Sequence, residues 1–354
     1  MLLPQDSQIE DSVTGRIHKY QFSWFDWFCL WYPPGWLIIF NRHWQHYYDD
    51  PDGWKWWEYW LFLIPGGFYL ALLMRWVRLG FRSPKSQDRK FDPDYQQAFV
   101  NEVIGQIVTS YFQAELESIE NLPIDGSLIV AINHAGMCFP WDFLALAYLL
   151  NQHQGWQIEP LAHLALFNHP WMLWWFPPDW ANVLGAIPAN TSSLEVALKN
   201  QRIVLYAPEG VRGPGKGWNQ RYQLQKFDPS FIRLSQRYQI PILPIICLGS
   251  ENLHPFAFNM PKVAHKLQLP VFPVSGLMIW FGLFPSMGVW AAKTHLRYYM
   301  EPILDFSTKK FPLSTSQAYR QAQKLRSHLQ VKIDKIKEEG RGGLGRHGDA
   351  ENDL

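Results

Sequence analysis

Apolar residues in the region from 91 to 340 follow strand-like and helix-like spacing in turn. Short runs typical of buried strands occur at 114–119, 127–132, 157–162, 203–206, 241–248 and 296–299. Helical spacing occurs in the segments around them, at 95–111, 164–180, 191–201, 229–238 and 316–339. Strands that alternate with helices in this way predict an α/β domain over 91–340.

Residues 21–90 have a different pattern, with two apolar and aromatic runs. The first, 22–40, is interrupted by Pro33-Pro34-Gly35, and the second, 60–74, by Pro65-Gly66-Gly67. A spanning helix needs about 20 apolar residues, so both runs are too short for a clean span. Trp and Tyr favour the headgroup region of a bilayer. We expect a hairpin that is anchored in one leaflet; the alternative is a buried helical hairpin of a soluble protein.

A basic run follows directly after the second apolar segment and contains Arg75, Arg78, Arg82, Lys85, Arg89 and Lys90, with one acid, Asp88. Cations beside an apolar segment favour the cytoplasmic side of a membrane and contact with anionic headgroups. The run therefore predicts a membrane-associated protein with its active site on the cytoplasmic side. A solvated charged stretch is the alternative interpretation.

Composition narrows the possible functions. The net charge of +1 argues against a nucleic-acid partner. Ten of the 19 Trp residues precede residue 80, so the aromatic excess belongs to the predicted hairpin. The three cysteines, at positions 29, 138 and 247, form no Cys-x-x-Cys pair, which favours a reducing compartment. The N-terminus lacks the pattern of a cleaved signal peptide. The polar segment 1–20 and the Gly-rich tail 341–354 are predicted to be disordered.

A histidine and an aspartate lie on either side of one predicted strand-to-helix turn. The strand 127–132 leads into Asn133-His134, and Asp142 precedes the helical run 143–150. The carboxyl ends of strands are where α/β proteins usually hold their chemistry. A histidine can act as a general base near neutral pH, and a carboxylate can orient it. We therefore predict His134 as a base and Asp142 as its partner; a hydrogen-bonded structural histidine is the alternative.

Four segments in one order resemble the glycerolipid acyltransferases. They are Asn133–Asp142, Gly185-Ala-Ile-Pro188, Tyr206-Ala-Pro-Glu-Gly210 with Arg212, and Ile240-Pro-Ile-Leu-Pro244. The set is similar to the lysophosphatidic-acid-acyltransferase-like group. The seven residues between His134 and Asp142 exceed the group's usual four and resemble the diacylglycerol-acyltransferase-like branch. The resemblance implies a mixed sheet flanked by helices, preceded here by the aromatic-rich helical membrane anchor of residues 21–90.

The resemblance also implies an O-acyltransferase that moves a fatty acyl group from acyl-CoA or acyl carrier protein to a lipid hydroxyl. His134 would be the base in a direct attack on the thioester, and Asp142 would orient it. Glu209 and Gly210 would hold the polar head of the acceptor. No metal and no cofactor beyond the thioester co-substrate are expected, and membrane lipids are the expected partners. A non-catalytic lipid-binding protein on the same fold is the alternative.

Three cations follow Gly210 in a glycine-rich segment: Arg212, Lys216 and Arg221. They could grip a phosphate or a phosphopantetheine arm; ordinary solvent-exposed charges are the alternative for Lys216 and Arg221. Family members that use phosphorylated acceptors place an Arg just after Gly-x-x-Pro, where this chain has Ala189. Both a lysophospholipid and a neutral glycerolipid are therefore open as the acceptor.

Overall fold

The computed structural model describes residues 19–123, 126–136, 139–306 and 312–348. Its strands are β1 (Glu115–Glu117), β2 (Leu128–Ile132), β3 (Ile158–Ala162), β4 (Ile187–Pro188), β5 (Ile203–Tyr206), β6 (Ile242–Leu248), β7 (Phe258–Asn259), β8 (Pro273–Val274) and β9 (Arg297–Met300). Within these residues, seven strands form a mixed sheet in the order β1-β9-β6-β2-β5-β3-β4. Only the β6–β9 pair in that sheet is antiparallel.

Helices flank this sheet, as the spacing of apolar residues predicts. They are α1 (Trp24–Trp31), α2 (Trp36–Tyr47), α3 (Trp56–Phe62), α4 (Gly67–Arg78), α5 (Pro93–Phe99), α6 (Gly105–Ile107), α7 (Trp141–Gln154), α8 (Ala165–Asn168), α9 (Pro170–Trp175), α10 (Trp180–Val183), α11 (Thr191–Lys199), α12 (Arg212–Gly215), α13 (Ser230–Tyr238), α14 (Pro261–Lys266), α15 (Met278–Leu283) and α16 (Thr315–Gly348). A π-helical turn at Val100–Ile104 joins α5 to α6, and a second one at Val108–Phe112 continues the helical segment beyond α6.

The central strand β2 is buried on both faces of the sheet. Leu128, Val130 and Ile132 contribute to one apolar cluster, while Ile129 and Ala131 contribute to the other. This division follows from the alternation of side chains along a strand. β2 runs parallel to both β5 and β6. The segments that leave the carboxyl ends of β2 and β5 therefore meet at one edge of the sheet.

The aromatic hairpin packs on one face of the sheet domain. Phe25, Trp36 and Phe40 lie in the same buried cluster as Phe112 and Trp141. The other face is covered by α11, α13 and α16, whose apolar side chains belong to the second cluster. The described residues contain no helix with the length and apolar character needed to cross a bilayer. The inner side of the hairpin is thus part of the protein core, whereas several of its outer side chains are exposed.

All four arginines of the basic run make internal contacts, including Arg89, whose guanidinium lies over the ring of Tyr48 and donates to the carbonyl oxygen of Asp49. Arg75 is buried and donates to the carbonyl oxygens of Asp52 and Trp174. Arg78 pairs with Glu58 at 3.0 Å, and Arg82 pairs with Asp52 at 2.6 Å. These three arginines hold the hairpin together, which corrects the interpretation of the whole run as a headgroup-binding surface.

Several boundaries differ from those that the sequence predicts. The segment 164–180 is divided into α8, α9 and the start of α10, because Pro170 and the Pro177-Pro178 pair restrict helix continuation. Helix α11 ends at Lys199 rather than at 201, and Asn190 caps its start, where the Asn190 side chain accepts from the amide of Ser193. The backbone of α16 is helical to Gly348, beyond the predicted start of the tail at 341. Residues 1–18 and 349–354, where disorder is predicted, lie outside the described residues.

Candidate active site

His134 and Asp142 form a close pair at the carboxyl end of β2. His134 Nδ1 lies 2.9 Å from both carboxylate oxygens of Asp142. The His134 side chain is 17 % exposed, while that of Asp142 is fully buried. An ionised carboxylate can only accept, so the neutral imidazole carries its proton on Nδ1 and a lone pair on Nε2. No described residue forms a hydrogen bond with Nε2, which leaves that nitrogen available to a substrate.

The N-terminus of α7 brings Asp142 back to the histidine across the seven-residue loop. Asp142 is the second residue of this helix, where the helix dipole favours a negative charge. Its side chain also accepts from the backbone amides of Ala135 and Phe143. Tyr298, on β9, donates to the carbonyl oxygen of Asp142 over 2.8 Å. These contacts fix the orientation of the carboxylate before any substrate binds.

The charge of Asp142 also sets the protonation behaviour of His134. Burial alone would lower the pKa of His134, but the adjacent carboxylate and its hydrogen bond outweigh that effect. The pKa of His134 is therefore raised above its ordinary value of 6.5. A base with a raised pKa holds an abstracted proton more firmly, which suits general-base chemistry near neutral pH.

Asn133 has a positioning role that sequence analysis did not assign to it. Its amide nitrogen donates to the carbonyl oxygen of Cys247 over 2.9 Å, and its amide oxygen accepts from the Cys247 amide over 2.7 Å. This two-way bridge ties the end of β2 to β6 and fixes the backbone from which His134 projects. The Asn-His pair in the motif was the available signal, because an amide side chain can supply both a donor and an acceptor.

Glu209 and Gly210 follow β5 and lie at the same sheet edge. Glu209 is fully buried, and its Oε2 accepts from the Gln225 amide over 2.6 Å. Its Oε1 has no hydrogen-bond partner within the described chain. Burial raises the pKa of Glu209, partly offset by Lys216. Gly210 has a φ of +54°, in the left-handed region that favours glycine, and lies at the surface.

The three predicted cations occupy different positions. Arg212 is exposed and lines the same cavity as His134, with two of its guanidinium nitrogens donating to the carbonyl oxygen of Lys226. Lys216 is only 3 % exposed, and its ammonium pairs with Glu251 at 3.2 Å. Arg221 lies over the ring of Trp218. Lys216 and Arg221 are not among the cavity-lining residues. The charge of Lys216 is paired within the protein, and Arg221 stacks on Trp218. The structure therefore does not support a role in substrate binding for these two residues.

Gly213 allows the segment after Glu209 to pass against the histidine. A methyl group added at Gly213 would overlap the carbonyl oxygen of His134 and would also approach the Cβ atom of Glu209. The position therefore requires glycine for close packing, and it connects the two predicted motifs directly.

We expect Gly213→Ala to lower the rate of turnover about 100-fold, because a displacement of about 1 Å at a reacting group has an effect of that order. The measurement is kcat together with the thermal unfolding midpoint. Gly276→Ala is the matched control, because a methyl group there meets no atom within 4 Å. Full activity in Gly213→Ala would show that this contact does not position His134.

A cavity of about 1060 Å³ opens beside the pair and extends deep into the protein. Most of its lining is apolar and comes from the hairpin, α5, α7 and the α8–α10 region, including Phe68, Phe99, Phe143, Leu144, Trp175 and Trp180. His134 and Glu209 line it as well, so both motifs open into the same space. The volume is at the upper end of the range of about 300–1,000 Å³ for small-molecule sites, and it is large enough for a long acyl chain.

One part of the lining is polar and open to solvent. It includes Asn190, Thr191, Gly210, Arg212 and Asp228, all of which are exposed. The cavity thus combines a long apolar interior with a polar opening close to Glu209. No set of three potential metal ligands occurs in the described residues.

Residues 113–276 match the family model described as acyltransferase. The chain is 30 % identical over 190 residues to uncharacterized proteins of Mycobacterium bovis and Mycobacterium tuberculosis, which covers 53 % of this chain and 51 % of each relative. It thus spans about half the length of the curated relatives that it matches. A structural relative is the 1-acyl-sn-glycerophosphate (LPA) acyltransferase PlsC of Thermotoga maritima, with a TM-score of 0.43 and 14 % identity over 85 % of this chain and 95 % of that one.

The matched segment contains the whole set of four ordered motifs, from Asn133 to Pro244. Over residues 113–276 the chain is therefore similar to the acyltransferase family, in agreement with what its motifs predict.

Proposed function

We propose that this protein transfers a fatty acyl group from a thioester, carried by coenzyme A or acyl carrier protein, to the hydroxyl group of a lipid. The observation that carries the proposal is the His134–Asp142 pair at the edge of a large apolar cavity. The pair supplies a base whose Nε2 has no hydrogen-bond partner in the described part of the chain, and the cavity supplies room for a hydrocarbon chain. Glu209 lines the same space, and its Oε1, which has no hydrogen-bond partner among the described residues, can accept from a hydroxyl of the acceptor.

The transfer proceeds by direct attack. His134 Nε2 takes the proton of the acceptor hydroxyl as its oxygen bonds to the thioester carbonyl carbon. The resulting imidazolium is stabilised by the carboxylate of Asp142. When the carbon–sulfur bond breaks, the proton passes from His134 to the departing thiolate. The products are an ester and a free thiol, and the histidine returns to its neutral state.

The outer faces of the hairpin helices support work at a membrane surface. α1 exposes Trp24, Trp27, Phe28 and Trp31, and α4 exposes Tyr69, Leu70, Leu73, Met74, Trp76 and Val77. The carboxylates of α1 and α3, Asp26 and Glu58, are buried and paired with Arg42 and Arg78. The exposed faces are thus apolar and free of acids, as an interfacial helix requires. We propose that they rest in the cytoplasmic leaflet.

The charges of the cavity favour an acceptor without a phosphate. Its described lining contains one guanidinium, that of Arg212, against the carboxylates of Glu209 and Asp228. Ala189, Asn190 and Thr191 line the cavity where an additional cation would serve a phosphorylated acceptor. A phosphate at this opening would have the single guanidinium of Arg212 as its cationic partner in the described lining, and the two carboxylates would oppose its charge. A neutral acylglycerol is therefore the acceptor class that we propose.

An assay with two acceptors tests both the reaction and the acceptor class. The purified protein receives a labelled acyl thioester with a neutral acylglycerol and a lysophosphatidate at equal concentration, and ester products are separated. We expect the neutral acceptor to react at least about tenfold faster, because a single hydrogen bond to a charged group contributes about 1.5–3 kcal/mol and the described lining offers the phosphate no guanidinium or ammonium beyond that of Arg212. A faster reaction of the lysophosphatidate would overturn the acceptor class alone, whereas no ester from either would count against acyl transfer.

The substitution Ala189→Arg provides a directional test of the same idea. Ala189 is exposed, lines the cavity and precedes the cap of α11, so an arginine fits without loss of that cap. The added guanidinium should raise the rate with lysophosphatidate relative to the neutral acceptor by about tenfold. Ala189→Gln is the uncharged control. An unchanged ratio in Ala189→Arg would show that this opening does not hold the acceptor head.

A further inference from the structure

A second exposed apolar surface lies far from the hairpin in sequence. Helix α15 exposes Ile279, Trp280 and Leu283, with 73 % of Ile279 and 53 % of Trp280 accessible. The three positions are spaced so that they share one side of the helix. α15 contains no charged residue. A short helix that presents only apolar side chains on its outer side needs a partner other than water.

Hydrogen bonds join α15 to α4 and to the turn that precedes α4. The Gly66 amide donates to the carbonyl oxygen of Leu283 over 2.7 Å. The Tyr69 hydroxyl donates to the carbonyl oxygen of Gly282 over 2.9 Å. The exposed side chains of α15 are therefore held next to the exposed aliphatic and aromatic side of α4, and the two form a continuous apolar surface.

The apolar cavity reaches the protein surface between these two helices. Phe68, Tyr69 and Leu72 line it from α4, and Phe281 and Gly282 line it from α15. Tyr69 and Gly282 are exposed while they line the cavity, so the cavity has a mouth at this point. This mouth is separate in the sequence from the polar opening formed by Asn190, Gly210 and Asp228. One cavity therefore has an apolar mouth within an apolar surface and a polar opening to water.

We propose that α15 and the outer face of α4 together contact the bilayer, and that lipid tails pass between them from the leaflet into the cavity of His134. This rests on the proposed function, which it extends by assigning the lipid route to a named opening. The occupant is a bilayer leaflet, because the mouth leads into an apolar cavity long enough for a hydrocarbon chain and the surrounding side chains include no carboxylate in the described parts of α4 and α15. The polar opening, where the acceptor head is proposed to lie, faces water and can also admit the soluble thioester carrier.

Two sets of substitutions separate contact with the bilayer from passage through the mouth. Ile279→Ser with Trp280→Ser removes exposed apolar area from α15. Val196→Ser with Val331→Ser is the matched control, because these exposed residues lie on α11 and α16, on the opposite face of the sheet. Gly282→Trp places a bulky side chain in the mouth, where a Cβ atom meets no other atom within 4 Å. Gly276→Trp is its control, since Gly276 has equal space and does not line the cavity.

The 354-residue chain and its variants are first tested by flotation with vesicles of phosphatidylcholine and phosphatidylglycerol. Acyl transfer is then measured with an acceptor that is presented either in those vesicles or as a dissolved short-chain analogue. Ile279→Ser with Trp280→Ser should weaken vesicle binding by about 10- to 100-fold, because the variant lacks two apolar side chains that would be partly buried in the leaflet. Gly282→Trp should keep vesicle binding but lower transfer to the vesicle-presented acceptor about tenfold or more, because the indole ring would block the passage of lipid tails through the mouth between α4 and α15. Transfer to the dissolved analogue should be retained in both variants.

The proposal would be overturned if the α15 double variant bound vesicles as well as its control and Gly282→Trp transferred acyl groups to the vesicle-presented acceptor as fast as its control. If the unaltered protein shows no transfer to any acceptor, the proposed function fails. The flotation comparison still decides whether α15 contacts the bilayer: weaker binding of the α15 variant alone supports the contact, and equal binding of both double variants refutes it.

Discussion

Replacement of His134 by alanine is expected to lower acyl transfer by about 100- to 10,000-fold while the protein stays folded. This range is the usual contribution of a positioned general base. His134 is partly exposed at the end of β2, and its side chain faces a cavity, so its removal leaves the packing of the core intact. The measurement is the initial rate of ester formation, with the thermal unfolding midpoint as a check on the fold.

The matched control for this substitution is His153→Ala. His153 is an exposed histidine near the end of α7, the helix that carries Asp142. It should retain the full rate. Transfer by His134→Ala at a rate near that of the unaltered protein would remove His134 from the chemistry and would favour the alternative of a lipid-binding protein on this fold.

The substitution Asp142→Asn should produce the second large effect, a fall in rate on the order of 100- to 10,000-fold. An amide that replaces the orienting carboxylate of a histidine base can impose the wrong tautomer and removes the charge that stabilises the imidazolium. The introduced amide oxygen can still accept one hydrogen bond, from the backbone amide of either Ala135 or Phe143, so the loop is expected to persist. The rate and the thermal unfolding midpoint are measured together.

The pH dependence distinguishes this role from a purely structural one. In the unaltered protein, the neutral form of His134 is the active base, so the rate falls as pH drops through its raised pKa, above 6.5. Asp142→Asn removes the charge that raises this pKa, and burial then lowers it. The acidic limb of the residual rate should therefore move to lower pH. A limb that stays in place would mean that Asp142 does not set the protonation of His134.

The sequence was sufficient to predict the alternation of strands and helices, and its motifs agree with the match of residues 113–276 to the acyltransferase family model. The strands β2, β5 and β6 agree closely with the apolar runs, because buried central strands have long uninterrupted apolar sequences. The proximity of His134 and Asp142 was also predictable, since both flank one strand-to-helix turn. The catalytic roles of His134 and Asp142 are still predictions, which the substitutions above test. The acceptor-binding role of Glu209 is also still a prediction.

Other features depend on contacts that spacing along the chain does not specify. Lys216 looked like a substrate-binding cation, but Glu251, 35 positions later, pairs with it in a nearly buried site. The steric need for Gly213 arises from the approach of two segments that are about 80 residues apart in sequence. The basic run that begins at Arg75, in the last turn of α4, looked like a lipid-binding surface, yet Arg75 is buried and donates to backbone carbonyl oxygens.

The apolar mouth between α4 and α15 also depends on contacts between residues that are distant in the sequence. Its two sides are over 200 residues apart, joined through Tyr69 and Gly282. Only the folded arrangement brings the exposed apolar residues of both helices together, so the sequence located the hairpin surface but not its second half.

The most direct measurement of the central claim is a single incubation of the purified protein with a labelled acyl thioester and a neutral acylglycerol in vesicles, followed by quantification of both products. Direct transfer at His134 predicts that one ester forms for each thiol released, at a rate that His134→Ala reduces by about 100-fold or more. Release of thiol without ester, or equal ester formation by the unaltered and His134→Ala proteins, would contradict the account.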